Sequence, residues 1–198
     1  MSRMGYHAAT LGNHDFDNGI SGLLAQMPYA DFRFVSANYD FTNTDLEGFV
    51  QPYTTYEMDG VRIGVFGLGI ALQGLVLPHL YGETRVLDPV EIALDTARVL
   101  REEEHCHLVI CLSHLGYRYS DPERISDINL ARRTEGIDLI IGGHTHTFME
   151  SAQVLANRAN RQVLINQVGC FGVRLGRVDF YLGAGTETPE AGGVNITV

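Results

Sequence analysis

Two short apolar runs, Leu108-Val-Ile-Cys-Leu112 and Ile137-Asp-Leu-Ile-Ile141, constrain this chain more than any other feature. Each has strand length and is bounded by polar or glycine residues, which is how a strand buried on both faces reads. The second run stops at Gly142-Gly143. Helical patterns alternate with such runs. Asp88-Pro-Val-Glu91 is a helix start, with a capping acid, Pro at the first helical position and Glu where a capping box places it. That helix is predicted to run to about Glu104, with Ile92, Ala93, Ala97, Val99 and Leu100 on its apolar face. A second helix is predicted over Ser126–Glu135. Strands alternating with helices point to the α/β class.

Further strands fill the pattern. Phe32 to Asn38 alternates apolar and polar residues, and Gln51–Met58 and Val61–Leu68 flank Asp59-Gly60, a strong hairpin turn signal. Val163–Val168 and Val173–Leu182 read as two strands with a Gly-Cys-Phe-Gly turn between them. The segment Ala71–Val86, with Gly74, Pro78 and Gly82, reads as a long loop able to cover a site. The end of the chain, from Gly183, is rich in Gly, Thr, Glu and Pro and reads as a linker or flexible tail.

Composition excludes several classes. The 198 residues suit one core of ordinary size. All 14 basic residues are arginine, against 24 acidic ones, and the formal charge of −10 argues against nucleic acid or an anionic membrane as a partner. A phosphate-handling site in such a chain needs metal ions or a local basic pocket. No apolar stretch approaches the roughly 18 residues of a membrane span, and the first residues lack the basic-then-apolar pattern of a signal peptide. Cys106, Cys111 and Cys170 are too few and scattered for a disulfide framework or a zinc knuckle. Cys111 and Cys170 lie in apolar runs and read as small core residues.

Three polar clusters lie where strands stop: Leu11-Gly-Asn-His-Asp-Phe-Asp-Asn-Gly19, Ser113-His-Leu-Gly116 and Gly142-Gly-His-Thr-His146. Strand ends line the ligand crevice of an open α/β layer, so clusters distant in sequence can converge there. The donors are imidazoles and an Asn carbonyl, which suit zinc, iron, manganese or copper, and no thiolate is among them. Each piece also has a plainer reading. Asn13 is a natural turn former, Asp15 and Asp17 are natural helix-start residues, and Arg174 and Arg177 read as surface or structural arginines.

In this order, Gly-Asn-His-Asp-Phe-Asp-Asn-Gly, His-Leu-Gly and Gly-Gly-His-Thr-His resemble the last three motifs of the calcineurin-like metallophosphoesterases. The resemblance is closest to the catalytic domain of the bacterial 5′-nucleotidase and 2′,3′-cyclic phosphodiesterase group. Ser36-Ala-Asn38, Ile63–Leu68, Gln167-Val-Gly and Val173–Arg177 add to it, so it covers residues 1–182, with 183–198 left as linker or tail. It implies a four-layer α/β/β/α sandwich and hydrolysis of phosphomonoesters or cyclic phosphodiesters, nucleotides included, by a water activated between two metal ions such as Mn, Zn or Fe. Carried over, Asn13, His114 and His144 correspond to ligands of one metal and His146 to a ligand of the other. His14 corresponds to the catalytic histidine and Asp17 to its carboxylate partner. The family pattern also has a D-x-H and a G-D motif before G-N-H, and neither is present here. The sequence therefore predicts a sandwich incomplete at the N-terminus, with unpaired strand edges and exposed apolar surface. Its site would be completed by a missing segment or a separate chain. The other reading is an inactive fragment, or a non-catalytic module that binds phosphate or metal. Relatives of this kind are often periplasmic or exported.

Overall fold

Parallel strands cannot be joined by tight turns, so the two buried runs require helical crossovers between them, and the chain supplies these. The computed structural model describes residues 1–182 and 190–197. Its strands are β1 (Ala8–Thr10), β2 (Arg33–Val35), β3 (Tyr39–Asp40), β4 (Tyr53–Met58), β5 (Val61–Leu68), β6 (Arg85–Val86), β7 (Leu108–Ser113), β8 (Leu139–Gly142), β9 (Gln153–Ala156), β10 (Gln162–Asn166), β11 (Arg174–Tyr181) and β12 (Glu190–Thr197). The helices are α1 (Gly19–Gln26), α2 (Pro78–Tyr81), α3 (Pro89–Arg98) and α4 (Asp127–Arg133).

The large sheet has the order β4-β5-β7-β8-β10-β9. Its four central strands run parallel, and β4 and β9 close the two edges antiparallel. Asp59 and Gly60, at φ 50 and 78, form the predicted hairpin turn between β4 and β5. On one face Phe66, Leu68, Val109, Cys111 and Ile140 pack under α3 and α4, against Ala93, Ala97, Leu100, Leu130 and Ala131. Both helices start as their caps dictate. The Asp88 carboxylate accepts from the Val90 and Glu91 amides at 2.8 and 3.0 Å, and the Ser126 hydroxyl accepts from the Asn129 amide at 3.3 Å. The predicted first helix is α only to Arg98 and continues as a π turn over Val99–Glu103.

The small parallel sheet β1-β2 lies across the other face of the large one. Gly67 permits this, because a Cβ there would collide with the Val35 carbonyl. Beyond β2 a second core gathers Leu11, Phe16, Leu23, Tyr39, Phe41 and Leu72, with Ile20 and Leu24 of α1 and Phe34 of β2 packed on it. The layers are thus helices, large sheet, small sheet and α1, a mixed α/β architecture of the predicted class. Among the described residues β1 pairs only with β2. Beside it an apolar groove opens among Ile63, Val65, Ile110, Leu112 and Ile141.

Several expectations change. The segment 71–86 contains α2 and buries Leu72 and Val76 in the second core. The two strands expected after residue 162 form, β10 joining the large sheet and β11 pairing with β12. Residues 183–189 of the expected linker lie outside the described residues, whereas Glu190–Thr197 pairs with β11 throughout its length. Reciprocal side-chain hydrogen bonds of 2.8 Å between Asn166 and Asn195 join this ribbon to the end of β10. Cys111 is buried, but Cys170 is only half-buried, because it sits in the turn rather than in a strand. No helix among the described residues is long and apolar enough to cross a membrane.

Candidate functional site

The first cluster begins where β1 stops. Gly12 remains extended at φ −113, and a 3-10 turn follows over Asn13–Phe16. The Gly12 amide donates to the Asp15 carboxylate at 2.7 Å, so Asp15 serves the helix-start role open to it. Phe16 is fully buried and packs edge-on to Tyr39, with ring centroids 5.8 Å apart. This anchor turns Asn13 inward, at 6% exposure, and leaves His14 and Asp17 at the surface. His14 Nδ1 lies 2.9 Å from Asp17 Oδ2.

The second and third clusters follow β7 and β8. The His114 amide donates to the Leu68 carbonyl at 2.8 Å, which fixes the residue directly beyond β7. Its Nε2 lies 3.2 Å from Asn13 Oδ1, and His144 Nδ1 reaches the same oxygen at 3.1 Å. The two imidazole centroids are 5.2 Å apart. Glycine at position 12 is required by this meeting, because a Cβ there would lie 2.6 Å from the His114 ring.

Burial pushes the His114 pKa down to about 4, and the neighbouring His144, His14 and His146 act in the same direction. His144 is also lowered, first by burial and then by Arg124, His146 and His14. Both rings are therefore neutral near pH 7, with a nitrogen lone pair available. His144 and His146 adopt positive φ, at 67 and 51. His146 is exposed, and its ring centroid lies 6.4 Å from that of Phe171.

Asn13, His114 and His144, distant in sequence, are thus brought to one point, with the His14–Asp17 pair on the adjoining turn and His146 at the rim. Among the described residues no three His, Cys, Asp or Glu side chains cluster as a metal site. Arg174 donates to the Met149 carbonyl and lies over the Phe148 ring, and Arg177 pairs with Asp179. Sequence reasoning missed Asp127, a fully buried carboxyl that accepts from the Ser113 hydroxyl at 2.5 Å beneath the strand end that carries His114. A buried acid inside the first turn of a helix reads in sequence as ordinary helix-start chemistry.

Comparison with known proteins decides the family. The sequence profile of the calcineurin-like phosphoesterases matches residues 2–148. The chain belongs to the calcineurin-like phosphoesterase family. Membership implies divalent metal ions. The chain is 34% identical over 212 residues to the trifunctional nucleotide phosphoesterase protein YfkN of Bacillus subtilis, covering 90% of its own length and 14% of that protein. It is 36% identical to a 5′-nucleotidase of Vibrio vulnificus, covering 73% of the chain and 27% of that enzyme. The crystal structure of a 5′-nucleotidase precursor from Thermus thermophilus superposes with a TM-score of 0.84 at 30% identity, covering 98% of this chain and 39% of that one. The chain therefore spans well under two thirds of the length of these relatives.

Proposed function

We propose that this phosphoesterase hydrolyses phosphomonoesters or cyclic phosphodiesters, nucleotides among them, at the cluster formed by Asn13, His114 and His144. One observation carries the reading: a buried amide oxygen with two neutral imidazole nitrogens 3.1 and 3.2 Å from it. Ligand bonds of about 2.1 Å at angles near 90–110° place donors roughly 3.0–3.4 Å apart, so this set fits one divalent cation. Asn13, His114 and His144 would hold that ion, and His146 would contribute to a second one. The donors are all uncharged, so a second ion close to the first would need carboxylate ligands beyond these four side chains. Imidazole and amide donors suit manganese, zinc or iron.

When bound, the cations supply Lewis acidity to water and to the phosphoryl oxygens. In a chain of net charge −10 they also offset the repulsion of an anionic substrate. Asp17 accepts from His14 Nδ1, which turns Nε2 outward. From there Nε2 would contact a phosphoryl oxygen or deliver a proton to the leaving oxygen. The relatives named as nucleotide phosphoesterase and 5′-nucleotidases support nucleotides as the substrate class.

The test is elemental analysis of the purified chain after manganese loading, with turnover of a nucleoside monophosphate and a cyclic nucleotide. His114→Ala and His144→Ala are expected to lose metal. His14→Ala is expected to keep metal and lose turnover by about a hundredfold or more. Equal metal content in all three variants refutes the assignment.

A further inference from the structure

The loop from Gly143 to Thr147 holds its two histidines in an uncommon backbone state. The Thr145 amide donates to the Gly143 carbonyl at 2.8 Å, closing a three-residue turn with His144 at its centre at φ 67. That is the rare γ-turn, and His146 two residues later is again left-handed at φ 51. Non-glycine residues persist in this region only where the surroundings fix them.

The Tyr117 amide donates to the Thr145 hydroxyl at 3.0 Å and the Gly169 amide to the Thr147 carbonyl at 2.9 Å, but one side chain bonds to three residues of the loop at once. Gln167 is 1% exposed and follows β10, whose Asn166 pairs in register with Ile141 of β8. Its Nε2 donates to the Gly143 carbonyl at 2.8 Å. Its Oε1 accepts from the Thr145 hydroxyl at 3.1 Å and from the Thr147 amide at 2.5 Å. The partners fix the amide's orientation, since an N–H can only donate and a carbonyl can only accept. They also alternate along the chain, at 143, 145 and 147, leaving the side chains of 144 and 146 unengaged by Gln167. Gly142 leaves room for the arrangement, because a Cβ there would lie 2.1 Å from Asp127 Oδ2 and 2.9 Å from Gln167 Nε2. Packing alone would favour an apolar residue in such a place, as a buried amide is costly unless every bond is made.

We propose that Gln167 is the positioning residue of this site, its carboxamide holding the Gly143–Thr147 loop in the one conformation that presents His144 and His146. This rests on the metal-site reading above, and two separate readouts keep the two claims distinguishable. The first is backbone amide exchange in the metal-free chain. Gln167→Met, of similar volume without hydrogen bonds, is expected to speed exchange of the Thr147 amide about tenfold or more while amides within β10 change little. The second is manganese titration, where Gln167→Met is expected to weaken binding about 10- to 100-fold. Val163→Ala, a core cavity in β10, the strand that leads into Gln167, is expected to lower overall stability and leave manganese affinity within about twofold. Gln167→Glu keeps the acceptor and loses the donor, so it is expected to fall between wild type and Gln167→Met in both readouts, and it serves if the Met variant does not fold.

Unchanged Thr147 exchange in the Met variant overturns the proposal. So does faster exchange with unaltered manganese affinity, because the histidines would then not depend on the clamp. A wild-type chain that binds no manganese overturns the metal site instead, and the loop-holding role then stands or falls on the Thr147 amide alone.

Discussion

Replacing Asp127 with Asn removes a titration from the core beneath β7 while keeping the side chain's size and its acceptor for the Ser113 hydroxyl. Burial pushes the Asp127 pKa from 3.8 up to about 7, opposed only by the hydrogen bond from Ser113. Among the described residues the second carboxyl oxygen has no hydrogen-bond partner. A raised acid pKa means that the folded chain binds the proton more tightly than the unfolded chain. The resulting stability is complete below about pH 3.8, is lost as pH rises towards 7, and is constant above that. A carboxyl raised from 3.8 to about 7 contributes about 4 kcal/mol, of which roughly 2.5 falls between pH 5 and pH 8. Urea unfolding of wild type and Asp127→Asn at several pH values isolates this quantity, since every other titrating group is common to both. The stability of the variant relative to wild type is expected to rise by about 2–3 kcal/mol from pH 5 to pH 8. A difference that stays flat over that interval refutes the reasoning. It would mean that the first turn of α4 holds an ionised carboxylate at no net cost.

Two further substitutions follow from local geometry. Gly12→Ala places a methyl group where the His114 ring lies 2.6 Å away, at a backbone φ of −113 that alanine tolerates. Its effect is therefore expected in manganese affinity, weakened about tenfold or more, rather than in the urea midpoint. Asp88→Ala removes the acceptor for the Val90 and Glu91 amides and is expected to lower stability by about 1 kcal/mol and Tm by about 2–4 °C, measured by thermal unfolding.

The parts of this fold that were legible in the sequence are those whose cause is local. Asp59-Gly60 states its turn type through two residues at positive φ, and Asp88-Pro89 states a helix start through one side chain and one ring. The parts that were not legible depend on a distant partner. β9 (Gln153–Ala156) is a short edge strand defined by its antiparallel register with β10, and its local cues are confined to the turn that follows, where the Asn157 side chain accepts from the Ala159 and Arg161 amides and Asn160 is left-handed at φ 58. β12 has the composition of a linker, and only its pairing with β11 and the Asn166–Asn195 bonds make it a strand. The predicted α3 ran to Glu104 because propensity and periodicity do not distinguish an α turn from the π turn over Val99–Glu103.

The site divides along the same line. Each of its three motifs directly follows a strand, so their convergence could be read from order and spacing alone. The side chains that hold them could not be, because Ser113 and Asp127 are 14 residues apart and Gln167 and Gly143 are 24 apart. The sequence also posed a chemical question, namely which carboxylate accompanies the neutral donors. Asp127 is the buried acid nearest the strand ends, but it does not answer that question. Ser113 shares the sheet face of Val109 and Cys111, which α3 and α4 cover, so its hydroxyl holds Asp127 in the core, with Oδ2 against Gly142. A carboxylate ligand must be ionised, whereas burial raises the Asp127 pKa to about 7 and so favours its protonated form. Burial thus acts in opposite directions on two residues one strand end apart. It keeps the imidazole of His114 uncharged and ready to donate its lone pair, and it holds the carboxyl beneath in a form suited to hydrogen bonding.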